Sequence, residues 1–374
     1  MKIEYMRPVY IWQYPEWPHF TWDEAAVQTQ LASVRYKQGQ LTGMMKVLGL
    51  DVQNSSSLEM ITMDIVKSCE IEGVVLDSER VRSSVAMHLG VETEGLPTPD
   101  HYTEGIVEVM MDAVRNALSP LTSERLFGWH AALFPTGRSG MYKITVADWR
   151  VGDEPMQVVS GAMGHEVVHY EAPASRDVPL MMQELLEWIE KEDPSLDPIL
   201  KAAIAHLWFV AVHPFDDGNG RLTRTITDML LCRADGLPHR YYSMSNTICK
   251  YKKDYYAALE ATTVGNTDIT KWLQWFLSTL EISVDEAIAT AETIIKKTQF
   301  WQRHRNLTMN ERQIKMVNMM WDGFEGNLTN AKWAKINKIS PSTALRDIQE
   351  LISYGILRVA DAGGRNTNYL LVED

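Results

Sequence analysis

The sequence predicts a mainly α-helical fold carrying one short β-hairpin and, near its C-terminal end, a two-stranded wing. Three observations carry this reading. An apolar run, Ala202 to Val212, reads as a buried helix and leads directly into a glycine-rich polar turn. Far upstream, Leu58, Ile61, Ile65 and Cys69 recur at helical spacing and give one face of a second helix. Alternating patterns are confined to short runs, Glu166 to Glu171, Gly355 to Val359 and Asn368 to Val372.

Taken in order, Met1 to about Leu50 is rich in Trp, Tyr and Pro, with helical character after Trp22. It lacks the apolar core of a signal peptide. We set this N-terminal segment at residues 1–54 and the largest unit at 55–281. The helix through residues 58–72 ends where Gly73 would stop it. The alternating run Glu166-Val167-Val168-His169-Tyr170-Glu171, bounded by Gly164 and Pro173, reads as a hairpin within Gly161 to Pro173. Residues 282–305 form a linking helix with alternating charges. Residues 306–374 are the last unit. In it, Thr329 to Lys335 is a short helix, Asn337 to Ile339 a turn, and Ser340 caps a second helix with Pro341 at its first position. Ala344, Leu345, Ile348, Leu351 and Ile352 make that helix's apolar stripe. Two strands joined through Gly363-Gly364 follow. The whole looks like a winged helix-turn-helix.

Composition bounds the function. The 374 residues exceed one ordinary core, and 45% hydrophobic with 23% charged content is normal for globular chains. Cys69, Cys232 and Cys249 form no close pair, which points to a reducing, cytoplasmic setting. No CxxC or histidine cluster has zinc spacing. The longest apolar stretch is too short to span a bilayer, so no membrane partner is expected. A net charge of −13 argues against general nucleic-acid binding. Between Asn330 and Asn368, however, six basic residues (Lys332, Lys335, Lys338, Arg346, Arg358, Arg365) stand against three acidic ones (Asp347, Glu350, Asp361), a net of +3. A DNA role would rest on Ser342, Thr343, Arg346 and the wing residue Arg365. Use of the same surface for protein contacts or dimerisation stays open beside it.

The chemistry concentrates in His213-Pro214-Phe215-Asp216-Asp217-Gly218-Asn219-Gly220-Arg221-Leu222-Thr223-Arg224. Gly218 and Gly220 let backbone approach a ligand closely. A turn of free N–H groups opening a helix is an anion site. Arg221 and Arg224, three apart, share a helix face, and a polyanion between them would offset their repulsion. Asp217 is a hard oxygen ligand suited to magnesium. His213 can exchange a proton near neutral pH.

The run resembles the Fic family signature HPFx(D/E)GNGRxxR, with every fixed position present. Fic proteins mostly transfer AMP from ATP to a hydroxyl of a target protein. The resemblance implies a Fic-type helical bundle with ATP as substrate and Mg2+ as cofactor. His213 would be the general base, and Phe215 would sit in the core. Asp217 would hold magnesium between the α- and β-phosphates. Gly218, Asn219 and Gly220 would form the anion hole, with Arg221 on the β-phosphate and Arg224 on the γ-phosphate.

Ser68-Cys69-Glu70-Ile71-Glu72-Gly73 resembles the (S/T)xxxE(G/N) inhibitory helix of Fic proteins that carry it N-terminal to the core. Ser68 and Glu72 share a face. The resemblance implies that Glu72 pairs bidentately with Arg224 and fills the γ-phosphate space. In some relatives the same Glu positions a water that removes AMP. The run around Val167, Val168, His169 and Tyr170 resembles the flap over the family's active site, where a target strand adds to an exposed edge. Tyr255-Tyr256 resembles a segment whose tyrosine contacts the nucleotide, with Tyr256 preferred. Ala261-Thr262-Thr263 stands where relatives carry an Asn near the adenosine. His130 and His206 read as structural histidines. The sequence therefore predicts an autoinhibited adenylyltransferase acting on a protein of unknown identity, the chain itself included. A homodimer is left open. The competing readings are a DNA-binding regulator whose Fic unit senses nucleotide, and a Fic enzyme that removes AMP or transfers another phosphate-linked group.

Overall fold

A computed structural model describes residues 9–91, 95–160, 167–236, 240–360 and 367–373. Among these, two compact units are distinguished, Met1–Ile288 and Ala289–Asp374.

In the first unit, α1 (Glu24–Lys46) starts at Asp23, whose carboxylate accepts the Ala25 and Ala26 N–H groups. α2 (Leu50–Ile71) carries the Leu58, Ile61, Ile65 and Cys69 stripe into the core. It stops at Gly73 (φ 78°), where Gly73 N–H bonds Glu70 O and Val74 N–H bonds Cys69 O. That pair of bonds is the Schellman ending that a residue without Cβ permits. α3 (Ser78–Leu89), α4 (His101–Arg115) and α5 (Ser123–Leu133) follow, then the two-residue strands β1 (Arg138–Ser139) and β2 (Tyr142–Lys143). The flap is an antiparallel pair, β3 (Gln157–Ser160) and β4 (Val167–Glu171). Its first strand precedes the Gly161–Pro173 window expected from the sequence, and the connecting residues 161–166 lie outside the described set. Gln157–Ser160 is only four residues long and does not alternate, so β3 is recognised through its pairing with β4.

α6 (Val178–Glu190), α7 (Pro198–Val212) and α8 (Asn219–Asp235) complete the centre. α7 is buried on nearly every side, as a helix apolar all round must be. α8 packs along it. α9 (Met244–Lys250), α10 (Lys252–Thr263) and the part of the 34-residue α11 (Thr270–Arg303) up to Ile288 close the bundle, while Phe300, later in α11, belongs to the core of the second unit. The Trp-rich N-terminal segment braces this core. Trp17 and Phe20 pack edge-on against Trp208, and Tyr10 meets Tyr170 with ring centroids 5.1 Å apart.

The second unit holds α12 (Glu311–Trp321), β5 (Leu328–Thr329), α13 (Asn330–Asn337), α14 (Pro341–Ser353), β6 (Leu357–Val359) and β7 (Asn368–Leu371). The sheet order is β5-β7-β6, all antiparallel, so a short third strand joins the two expected. Trp333, Ile348 and Leu351 anchor its core. Ser340 Oγ caps α14 at the Thr343 N–H. Arg365 lies outside the described residues. Among the described residues, no helix is long and apolar enough to cross a membrane.

Candidate active site

The turn between α7 and α8 builds the site. His213 ends α7 in the left-handed region (φ 50°, ψ 61°). Asn219 turns its side chain back into the loop, accepting from Phe215 N–H (2.9 Å) and donating to Phe215 O (2.7 Å). Its expected place in the anion hole is thus limited to its backbone, because the amide is committed to locking the turn. Phe215 is fully buried and stacks on His130 at 4.2 Å. The His130 ring donates from Nε2 to Asp217 O (3.1 Å) and accepts at Nδ1 from Ala147 N–H (3.3 Å). That pattern needs the neutral ring, and burial pushes its pKa down. Gly218 (φ 86°) precedes α8, and a Cβ there would meet the Phe134 ring at 2.8 Å.

α8 begins without a side-chain cap, so its first-turn N–H groups are free to face an anion. One is already in place. Glu72 Oε1 would lie 2.1 Å from a Cβ at Gly220, so the carboxylate rests directly on that backbone. The same oxygen accepts from Arg224 Nη2 at 2.8 Å. Arg224 is 2% exposed, and it also donates to Ser68 Oγ (2.9 Å) and Ser68 O (2.8 Å). The expected bidentate pair is therefore a single contact, because Ser68 takes the other donors that Arg224 directs at α2. Nη1 is buried with no partner. Arg221 lies over the Phe134 ring at 4.8 Å, with Nη1 3.4 Å from the Tyr102 hydroxyl.

His213 departs from the near-neutral basicity expected of it. Burial first, and then the Arg150 guanidinium, push it down to about 4, against the pull of Val210 O, Glu72 and Asp217. The ring is neutral at pH 7, the form that can accept a proton. Arg150 escaped sequence reasoning. It is 3% exposed and donates to His213 O from Nε (2.8 Å), to Ser175 Oγ (2.8 Å) and to Pro173 O. Its own N–H bonds Pro214 O (2.9 Å). It thereby ties the His213 turn to the chain following β4.

His213, Glu72, Gly220 and Tyr256 line one cleft of about 480 Å³. Its flap wall is Val158 and Val159 of β3 with His169 and Tyr170 of β4. Val167 and Val168 are exposed on the flap and do not line the cleft, so the lining valines belong to the strand the sequence did not reveal. Tyr170 is no surface flap residue. Its hydroxyl donates to Ala211 O (2.7 Å) and its ring is buried, which anchors the flap to α7. His169 Nδ1 lies 3.1 Å from Glu260 Oε1. Tyr256 is 41% exposed, with its hydroxyl raised to about 12 by burial and then by Glu72. Its neighbour Tyr255 is buried and donates to His206 Nε2 (3.0 Å), while His206 Nδ1 meets Thr227 Oγ1 (2.9 Å). Burial drives His206 down to about 3, so it is a neutral structural ring.

Asp217 is the candidate metal ligand. Its side chain is 43% exposed, bonded to the Ser139 hydroxyl, and 3.9 Å from Arg221 Nη2. Among the described residues no group of three or more His, Cys, Asp or Glu could hold a metal ion. One open carboxylate fits magnesium, which commonly takes one or two carboxylates and completes its shell with phosphate oxygens and water.

Residues 120–231 match the model of the Fic/DOC family. This stretch is a Fic/DOC domain. Residues 10–91, which include α2 and Glu72, match a separate domain of unknown function. The chain is 30% identical over 113 residues to the protein adenylyltransferase fic-1 of Caenorhabditis elegans, covering 30% of this chain and 21% of that one. It is 32% identical over 119 residues to the protein adenylyltransferase Fic of Nematostella vectensis, covering 32% and 26%. The chain thus spans about a quarter or less of these relatives. In fold, it is similar to a Fic family protein from Desulfovibrio desulfuricans G20, with a TM-score of 0.50, 19% identity and 98% of both chains covered.

Proposed function

We propose that this chain is a protein adenylyltransferase restrained by Glu72, moving AMP from ATP to a hydroxyl of a target protein. The observation that carries the reading is the uncapped start of α8, occupied by the Glu72 carboxylate beside Arg224. A carboxylate seated against the Gly220 backbone at the uncapped start of a helix, and bonded to a buried guanidinium, marks the place a phosphate would take. The relatives named protein adenylyltransferase support the same chemistry.

In this reading the triphosphate replaces Glu72, with Arg221 and Arg224 as its cations. The target hydroxyl loses its proton to His213. Its oxygen attacks the α-phosphorus in line, forming the new P–O bond as the bond to pyrophosphate breaks. Negative phosphates raise the basicity that burial depresses, so His213 becomes an adequate base when nucleotide is present. Asp217 would hold magnesium, which would neutralise phosphate charge when bound. The remaining catalysis is positioning and charge stabilisation. Tyr256 and the flap wall, Val158, Val159 and His169, would hold the nucleoside end. A cleft of about 480 Å³ suits such a ligand.

The test is label transfer from α-³²P-ATP with magnesium, using wild type, Glu72→Gly and Glu72→Gly/His213→Ala proteins. Label in Glu72→Gly alone, on itself or on a lysate protein, is the expected result. No label in any of them while ATP binds would overturn the reading in favour of a nucleotide sensor, another donor, or AMP removal.

A second reading concerns the unit at 289–374. We propose that it is a winged helix presenting α14 to DNA. Ser342, Arg346 and Gln349 are exposed along that helix, and Lys335, Lys338 and Arg358 are exposed on α13, the turn after it, and β6. Asp347 does not offset them, since it is buried and paired with Arg312 at 2.9 Å. These side-chain types suit phosphate and base-edge contacts. Anisotropy with labelled duplex DNA should show binding that weakens with salt and with Arg346→Ala. Absence of binding at low salt would leave the surface to protein contacts.

A further inference from the structure

We propose that Asp64 is the positioning residue of the restraint, fastening α2 at the register that keeps Glu72 on the start of α8. This rests on the reading of Glu72 given above. Asp64, Ser68 and Glu72 are spaced by four and share one face of α2. Each meets a polar partner on another element. Glu72 and Ser68 hold Arg224 of α8. Asp64 Oδ1 accepts from the Ser243 hydroxyl and from Ser245 N–H (3.1 Å), where α9 begins. Asp64 Oδ2 lies 3.9 Å from Arg240.

Arg240 links this end of α2 to α8. It is 2% exposed, pairs with Asp228 at 2.9 Å, and donates to Asp228 O at 3.0 Å. Asp228 stands one turn beyond Arg224 on α8. The cluster therefore joins α2, α8 and α9 in one buried network. It places two carboxylates on one guanidinium. Burial, and then the Asp64 charge, push Asp228 well above the usual carboxylate range. Such a cluster contributes little net stability, since apolar residues of similar volume commonly do as well. Its directional bonds fix the rotation and axial position of a helix more sharply than apolar packing does. Glu72 depends on that precision. It makes one contact to Arg224 and lies about 12 Å along the helix from Asp64, at 1.5 Å per residue. A slide or rotation of α2 would withdraw it.

Asp64→Ala leaves Arg240 and Asp228 as a one-to-one pair, so α8 keeps a balanced core and the loss falls on the α2–α9 joint. The experiment is label transfer by wild type, Asp64→Ala, Glu72→Gly and the double variant, with hydrogen exchange across residues 65–74 in each. Asp64→Ala is expected to raise transfer by ~5-fold or more, as coupled neighbours do, and to add nothing in the Glu72→Gly background. Asp64→Asn, which keeps an acceptor for Ser243 and Ser245, should stay near wild type. Equal transfer by Asp64→Ala and wild type, or an equal change in both backgrounds, overturns the proposal. Hydrogen exchange decides the fastening role even if Glu72→Gly proves inactive: faster exchange in Asp64→Ala supports it, and unchanged exchange refutes it.

Discussion

Glu72→Gly should make the protein less stable and more active at once. The substitution removes the bond from Arg224 Nη2 to Glu72 Oε1 at 2.8 Å, between a guanidinium 2% exposed and a carboxylate side chain 31% exposed. A unit-charge pair at 4 Å is worth about 4 kcal/mol at an effective dielectric near 20. Screening at the exposed carboxylate and the two bonds Arg224 keeps to Ser68 bring the net down to about 1–3 kcal/mol. Removing Glu72 frees the start of α8, so a triphosphate no longer competes with a built-in anion. The same energy then favours productive binding by about 5- to 140-fold, at 1.4 kcal/mol per tenfold. Without ligand, Arg224 has no carboxylate beside it, and the melting temperature should fall by about 2–4 °C per kcal/mol. Added ATP should restore it more in the variant than in wild type. Thermal melts with and without ATP, beside initial rates of label transfer, read both effects. A variant that melts like wild type and transfers no faster would refute the account.

Gly220→Ala would place a methyl 2.1 Å from Glu72 Oε1 and must displace that carboxylate. The expected loss is about 1–3 kcal/mol in the Glu72 protein and clearly less in the Glu72→Gly background; equal losses in urea melts would remove the contact from the explanation. Arg150→Met should lower transfer in the Glu72→Gly background by ~10-fold or more, because small misplacements of a base are costly; full activity would show that the bonds to His213 O and Pro173 O do not position it. His206 and His213 are held at about 3 and about 4, below the ordinary histidine value, so their neutral folded forms stabilise above pH 6.5 and that stability is lost as pH falls from 6.5 toward 4. Asp228, raised, acts in the opposite sense, so the measurement is a difference: His206→Gln should flatten the fall in unfolding free energy from pH 7 to 5 by up to about 1.4 kcal/mol per pH unit, and an unchanged slope would show that His206 does not titrate in that window.

What the sequence makes legible is contiguous. His213 to Arg224 lie in one run, so their chemistry can be read without a fold. Glu72 and Arg224 are 152 positions apart, and only the hexamer's resemblance to an inhibitory helix joins them. The residues that sequence reasoning misses share a physical cause. Arg150 and Arg240 are buried cations, and nothing in a string of letters separates a buried arginine from one on the surface. Asp64 sits on a recognisable helix, but its value comes from Ser243, Ser245 and Arg240 in a later stretch. The basicity of His213 is hidden for the same reason, since burial between α7 and its neighbours sets it. The motif assigns Asn219 to the ligand because it implies an anion hole, whereas the amide has a closer partner in Phe215.

The two family matches, 10–91 and 120–231, cover separate stretches of sequence but not separate bodies. Tyr10 and Trp12 brace Tyr170 and Glu171 at the end of the flap strand β4. Arg35 holds Asp197 with two bonds at the start of α7, and Gln38 bonds Asp235 at the end of α8. Val34, Leu41, Ile61 and Ile65 are each 3% exposed or less, so α1 and α2 share the core of the catalytic helices. Trimming the first match away would therefore uncover apolar surface and remove supports of the flap, and would be expected to unfold the unit before it activated it. On the proposed reading, relief of the restraint would therefore come from within the fold. The free end of α2 is where that is least costly: beyond Glu72 the chain turns through Gly73 into Val75, which is 91% exposed, while Asp64 two turns earlier stays fastened. A ligand that lifts Glu72 needs to displace one carboxylate contact and the last turn of a helix, leaving the body of α2 in place.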